Sequence, residues 1–175
     1  LTGVPTGYVK LDEKTSGWQS SDLVIIAGRP AMGKTSFALS LAKNIAVDYH
    51  VPIAFFSLEM NNVQLVNRLI SNVCEIPGNK MLNGQLTPDE WDRLDKRIGN
   101  LQGAPLYIDD TPGLSIFELR TKARRLVKEK GVKILMIDYL QLMNANGMKF
   151  GSRQEEVSKI SQSLKGLAKE LDIPI

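Results

Sequence analysis

The residues best suited to chemistry stand together in Gly28-Arg29-Pro30-Ala31-Met32-Gly33-Lys34-Thr35. This stretch fits G-x-x-x-x-G-K-[ST], the phosphate-binding loop of nucleoside triphosphatases. Gly28 and Gly33 let the backbone turn and bring its N–H groups close to phosphate oxygens. Lys34 supplies a point charge for the β- and γ-phosphates of ATP. Thr35 offers a hydroxyl to Mg²⁺, a hard cation that takes oxygen ligands. Ser36 follows at the start of a helix whose N-terminus adds partial positive charge. The expected nucleotide-binding set is Gly28, Arg29, Pro30, Ala31, Met32, Gly33, Lys34, Thr35 and Ser36.

Two carboxylates are expected to complete such a site. Asp138 ends the apolar run Ile134–Ile137. In an open α/β sheet, ligands gather at the carboxyl ends of strands. A carboxylate there can share Mg²⁺ with Thr35, the Walker-B role. Glu59 follows the run Ile53–Ser57 by two residues. Hydrolysis needs a group that orients or deprotonates the attacking water, and Glu59 can do this. The residue after Asp138 is Tyr139, not Glu, so the base does not sit beside the Walker-B position. Asp109 and Asp110 are rival bases, but Pro112 and Gly113 beside them suggest a plain turn.

The surrounding elements must position these groups. Leu23–Ala27 is short, apolar and β-branched, and reads as a buried strand feeding the loop. Ser36 to Ala46 reads as a helix, with Phe37, Leu41 and Ile45 on one face. Further strands are expected at 53–57, 105–109 and 133–138, with a fifth entered at Ile173-Pro174-Ile175. Helix 62–74 carries Val63, Val66, Leu69, Ile70 and Val73 on one side. Thr87, Ser115 and Ser152 each precede a Glu by three residues and open three more helices as capping boxes. Residues 2–18 read as an irregular lead-in with turns. Alternating strands and helices imply a mainly parallel sheet covered on both faces.

The totals bound this reading. With 175 residues, 43% of them hydrophobic, one domain with a sizeable core is expected. No apolar run reaches membrane-spanning length and no signal-peptide pattern opens the chain. The chain begins with Leu1 rather than Met, so it is taken as a fragment of something longer. A single cysteine, Cys74, excludes an internal disulfide, and the lone His50 leaves no zinc cluster. Net charge is +3 and the pI is about 9.0, compatible with nucleic acid without proving it.

Taken together, these residues resemble bacterial replicative DNA helicases of the DnaB type. The matching pieces are Thr2–Gly7, Thr15–Trp18, Gly28–Thr35, Phe56–Met60, Asp138–Leu142 and Arg153–Leu171, in order along the whole chain. The resemblance implies a RecA-like P-loop motor domain that is incomplete at its C-terminal end. It implies a homo-hexameric ring around single-stranded DNA, ATP hydrolysed between subunits, and a cytoplasmic replication protein. It also implies primase and a helicase loader as partners of the primosome, engaged through parts of the parent protein. The family's catalytic Glu falls on Glu59, its P-loop Lys and Thr on Lys34 and Thr35, and its Walker-B Asp on Asp138. Gln141 matches a nucleotide-state contact. Ser21 departs mildly from the family, which often has Gly there. The family's Gln-containing sensor strand, main DNA loop and arginine finger have no counterpart in these residues, nor has its N-terminal domain.

For DNA, the loop Gly147–Gly151 with Lys149 and Arg153 is the expected contact, because it follows the Walker-B strand. The basic residues Arg120, Lys122, Arg124, Arg125, Lys128, Lys130 and Lys133 are expected to form a solvated outer face. Competing readings are a RecA-like recombinase or regulatory ATPase, and a nucleotide-gated assembly module that barely hydrolyses ATP. A last expectation concerns topology. Residues 173–175 should insert between strands 23–27 and 133–138, with a further segment or another chain filling the rest of that gap.

Overall fold

Three apolar runs form a parallel sheet: β1 (Ile53–Ser57), β2 (Leu106–Asp109) and β3 (Ile134–Asp138), in the order β2-β1-β3. The computed structural model describes residues 2–145 and 149–175. β1 lies at the centre of the three, with Ile53 opposite both Leu106 and Ile134 and Phe56 opposite both Asp109 and Ile137. All five β1 residues are buried. Side chains alternate across the sheet, so Phe55 and Phe56 enter different cores. Phe55 packs with Ile53, Ile134, Leu41, Ala42, Ile45, Leu65 and Leu69. Phe56 packs with Ala54, Leu135, Leu119, Ala123, Leu164 and Leu167. Burying one such ring contributes about 1.5–3 kcal/mol.

The first core is covered by α2 (Lys34–Lys43) and α3 (Asn62–Cys74), the second by α6 (Ile116–Lys130) and α7 (Arg153–Leu171). Helices on both faces are what the strand–helix alternation implies. A third, smaller core of Val73, Cys74 and Ile76 sits with Met81 of α4 (Gly78–Asn83) and with Leu94 and Leu101 of α5 (Pro88–Gln102). Cys74 is buried there, which pushes its thiol pKa up against the lowering influence of Arg97 and Arg93. It serves packing.

Several expectations need correction. The lead-in is not all irregular: α1 (Val9–Thr15) forms within it. Its Asp12 carboxylate is buried and accepts the Thr6 N–H at 2.9 Å, the Thr6 Oγ1–H at 2.7 Å and the Gly7 N–H at 3.2 Å. This is a tertiary polar anchor, which apolar periodicity does not reveal. In α3 the inward residues are Leu65, Leu69 and Val73, whereas Val63 is 69% exposed. Val63 precedes Leu65 by two residues, about 200° round the helix, so it falls on the face opposite the core. In the expected helix 36–46, Leu41 on α2 and Ile45 in the π-helical turn Asn44–Asp48 that continues it are buried, while Phe37 faces outward against Tyr8, ring centroids 5.5 Å apart.

The largest correction is the expected strand 23–27, which is extended but pairs only at its start. Ile175 donates its N–H to Asp22 O at 3.0 Å, and Val24 donates to Ile175 O at 2.8 Å. On its other side, Leu135 donates to Pro174 O at 3.2 Å. Residues 173–175 therefore lie between the two runs, in the expected position. Beyond Val24 no backbone partner stands beside residues 25–28 among the described residues, and a ladder cannot form without one. Instead residues 23–28 face Ile134–Tyr139 across an apolar slot of about 210 Å³. Ile25 is consequently 62% exposed.

Candidate functional site

Residues 28–33 wrap the start of α2. Gly33 has φ +82° and Ala31 φ +63°. Gly33 has nothing within 4 Å of an added Cβ, so glycine is required there by the backbone angle and not by space. Ala31 adopts the same left-handed region without that freedom, at a cost of about 1–2 kcal/mol. The helix begins without a side-chain cap. Its Phe37 N–H reaches Gly33 O at 2.9 Å, the first turn's internal bond. The N–H groups before it are orphan donors, and they carry the positive end of the helix dipole. An anion fits such an end.

A hollow of about 570 Å³ opens at this point. It is lined by Gly28, Arg29, Pro30, Ala31, Gly33, Lys34, Thr35 and Ser36 of the loop, with Glu59, Arg68, Tyr139 and Gln141 across from them. The sequence-expected residues converge with two qualifications. Met32 does not line the hollow and is 74% exposed. Asp138 stands behind it, 4% exposed, where its Oδ2 accepts the Thr35 hydroxyl at 2.9 Å. That bond joins residues 103 apart in sequence and fixes the end of β3 against the first turn of α2. Gln141 is delivered by the single turn Leu140–Leu142.

Glu59 reaches the hollow because β1 ends at Ser57, whose hydroxyl donates to Met60 O at 2.7 Å and folds the chain back. The rival carboxylates are engaged elsewhere. Asp110 accepts the Asn62 N–H at 2.8 Å at the start of α3. Burial pushes the Asp109 carboxyl up, but the Lys122 ammonium at 2.7 Å and the Thr111 N–H outweigh it and leave Asp109 below the usual carboxylate range. Neither lines the hollow.

Two lining residues were not singled out from sequence. Arg68 sits on α3 nine positions after Glu59, and nothing in its local pattern distinguishes it from a solvated helix arginine. Tyr139 has no site role in the sequence reading, yet its ring stands 4.2 Å from Lys34 Nζ.

Arg124, Arg125, Lys128 and Lys130 of α6 are exposed, as expected of a solvated outer face, and three of the helix's six basic residues make ion pairs. Lys122 pairs with Asp109, Arg124 with Glu170 at 2.9 Å and Arg125 with Glu129 at 3.2 Å. Arg124 also holds the Glu170 carboxyl below its ordinary pKa. In the expected DNA loop, Gly147 and Met148 lie outside the described residues. Arg153 is tied to the carbonyl oxygens of Gln141 and Met143 and to Glu156. None of the helices among the described residues is long and apolar enough to cross a membrane.

The family profile of the DnaB-like helicase C-terminal domain matches residues 3–175. The chain is 47% identical over 175 residues to the replicative DNA helicase DnaB of Geobacillus stearothermophilus, covering all of this chain and 38% of that protein. It is 45% identical over 175 residues to the replicative DNA helicase DnaC of Bacillus subtilis, again covering all of this chain and 38% of the relative. The chain thus spans well under half the length of these curated relatives. Among solved structures, a DnaB-like replicative helicase studied with its interactions with primase superposes with a TM-score of 0.91 at 37% identity. That superposition covers 99% of this chain and 42% of the other. A second solved structure, described as an ATPase domain, gives the same TM-score and identity over 99% of this chain and 62% of that one. With a family profile matching nearly the whole chain, the chain belongs to the DnaB-like helicase C-terminal domain family.

Proposed function

We propose that this chain is the ATP-binding and ATP-hydrolysing motor core of a replicative DNA helicase that unwinds duplex DNA. One observation carries the reading: a single hollow gathers the uncapped start of α2, Lys34, Thr35 and Glu59, with Asp138 hydrogen-bonded behind Thr35. The backbone N–H groups from Gly33 to Ser36 cradle phosphate oxygens, and Lys34 places its charge on the β- and γ-phosphates. Glu59 takes the proton of the attacking water. Arg29, Pro30 and Ala31 shape the loop wall, and Gln141 contacts the nucleotide's phosphate end.

The residues also fit Mg²⁺. Thr35 and Asp138 present a hydroxyl and a carboxylate 2.9 Å apart. Among the described residues no cluster of three or more His, Cys, Asp or Glu side chains exists to form a cage. Mg²⁺ favours this arrangement, taking one or two protein oxygens and completing its shell with phosphates and water. When bound, the ion neutralises charge on the phosphates.

The family supports a cytoplasmic homo-hexameric ring on single-stranded DNA, with primase and a loader as partners. The apolar slot between residues 23–28 and β3 suits a further strand, from residues after 175 or from another chain. The test is ATPase and unwinding by the full gene product, with and without single-stranded DNA. DNA-stimulated hydrolysis with strand separation is the expected result. Strand exchange without unwinding selects a recombinase, and binding without turnover in any oligomer selects an assembly module.

A further inference from the structure

Four residues, Gly28, Lys34, Tyr139 and Gln141, line both the phosphate hollow and the apolar slot behind it. Lys34 and Tyr139 touch within this shared wall, with the ammonium nitrogen 4.2 Å from the ring centroid. The placement is unusual in one respect. Carboxylates are the natural partners of an ammonium, and two belong to this site. Glu59 lines the hollow, and Asp138 is the residue just before Tyr139. Yet among the described residues Lys34 makes no ion pair, and Asp138 is bonded instead to the Thr35 hydroxyl.

A Lys34–Asp138 pair would neutralise the two groups that the phosphates and the cation each need. Breaking it would oppose nucleotide binding. An aromatic face attracts an ammonium through the ring quadrupole, an effect of about 2- to 30-fold in an equilibrium constant. That is enough to bias a flexible four-carbon side chain and weak enough for a polyphosphate to displace. The ring also leaves the positive charge unneutralised.

We propose that Tyr139 is a positioning residue for Lys34: its ring face holds the ammonium at the wall of the hollow and off the Asp138 carboxylate. The charge is then presented, already directed, to a nucleoside triphosphate. The contact uses the face of the ring and not its hydroxyl. This inference rests on the nucleotide-binding reading above.

The test is equilibrium titration of the full gene product with a fluorescent ATP analogue, carried to millimolar concentrations, together with kcat at saturating ATP. Tyr139→Leu weakens affinity about 3- to 20-fold, while kcat at saturation changes less than affinity. Tyr139→Phe stays within about 2-fold of the parent, because it keeps the ring. Tyr139→Met, which fills the half-buried site flexibly, repeats the Leu result and guards against misfolding of one variant. On a Lys34→Ala background, Tyr139→Leu adds no further loss, because the cycle isolates the pair. The proposal is overturned if Leu and Met bind ATP as well as Tyr. It is equally overturned if Phe is as poor as Leu, or if Leu costs as much with Ala at position 34. Unchanged ATP binding in Lys34→Ala alone would instead refute the nucleotide site itself.

Discussion

Two kinds of helix start stand side by side in this protein. α3, α5, α6 and α7 each begin at a side chain that accepts the N–H of the third helical residue. The pairs are Asn61 with Gln64, Thr87 with Glu90, Ser115 with Glu118 and Ser152 with Glu155, at 3.0–3.2 Å. Among the described residues, α2 is the one helix of ten or more residues that begins bare. A cap contributes about 1 kcal/mol by satisfying an orphan donor. The start of α2 forgoes that gain and keeps its donors and dipole directed into the hollow. On the proposed function, stability and ligand binding fall to different helix ends, and substitutions should separate them.

The largest effects belong at the bare end and should appear in rate, not stability. Glu59→Gln keeps the shape but cannot accept a proton, so kcat falls by about 10²–10⁴. ATP binding persists. A loss of binding with unchanged kcat would remove Glu59 as the base. Lys34→Ala lowers turnover by about 10²–10³, the usual cost of one preorganised charge-stabilising contact. Its unfolding free energy in urea moves by no more than about 0.5 kcal/mol, as for surface substitutions. A large destabilisation would mean that α2 depends on Lys34 structurally, and the contrast between the two ends would fail.

The capped ends should behave in the opposite way. Thr87→Ala and Ser152→Ala each cost about 1 kcal/mol of unfolding free energy. Their ATPase rates remain those of the parent. Equal losses of rate and stability in urea and steady-state assays would erase the distinction.

The smallest effect is a pH dependence confined to one cap. The Glu90 carboxyl is lowered from 4.5 to about 2, chiefly by its hydrogen bond from Lys80 at 2.7 Å and then by the Thr87 N–H. Its folded value lies below the unfolded one, so its contribution is fully present above pH 4.5. It is lost as pH falls toward 2. Urea midpoints followed from pH 5 downward should fall less in Glu90→Gln than in the parent. Parallel curves would remove Glu90 as the titrating group.

Legibility in the sequence followed the range of the interaction. The phosphate loop is contiguous, so its residue types and spacing announced it. The caps at Thr87, Ser115 and Ser152 are equally local, and the helices they open begin at Pro88, Ile116 and Arg153 as expected, although only Thr87 of the three forms the full reciprocal box with its Glu. Val63 lies opposite Leu65 on α3; apolar character alone does not say which of two apolar stripes turns inward. The helix Val9–Thr15 was missed because a buried Asp12 organises it, and a charged residue carries no hydrophobic signal. The run 23–27 has strand composition, but a strand is a pairing, and past Val24 the described residues offer no partner.

By itself the sequence determined the three paired strands, the longer helices and where the phosphate loop lay. Those properties come from periods of two and 3.6 and from contacts three or four residues apart. It also pointed to Glu59 and Asp138 as strand-end carboxylates. Only the tertiary structure showed Glu59 in the wall of the hollow with Asp109 paired to Lys122 and Asp110 bonded at the start of α3. Only it joined Thr35 to Asp138 and laid Lys34 on the Tyr139 ring. These contacts link residues about a hundred positions apart. They exist because burial of Phe55 and Phe56 on opposite faces locks β1 between β2 and β3 and sets the strand ends beside α2.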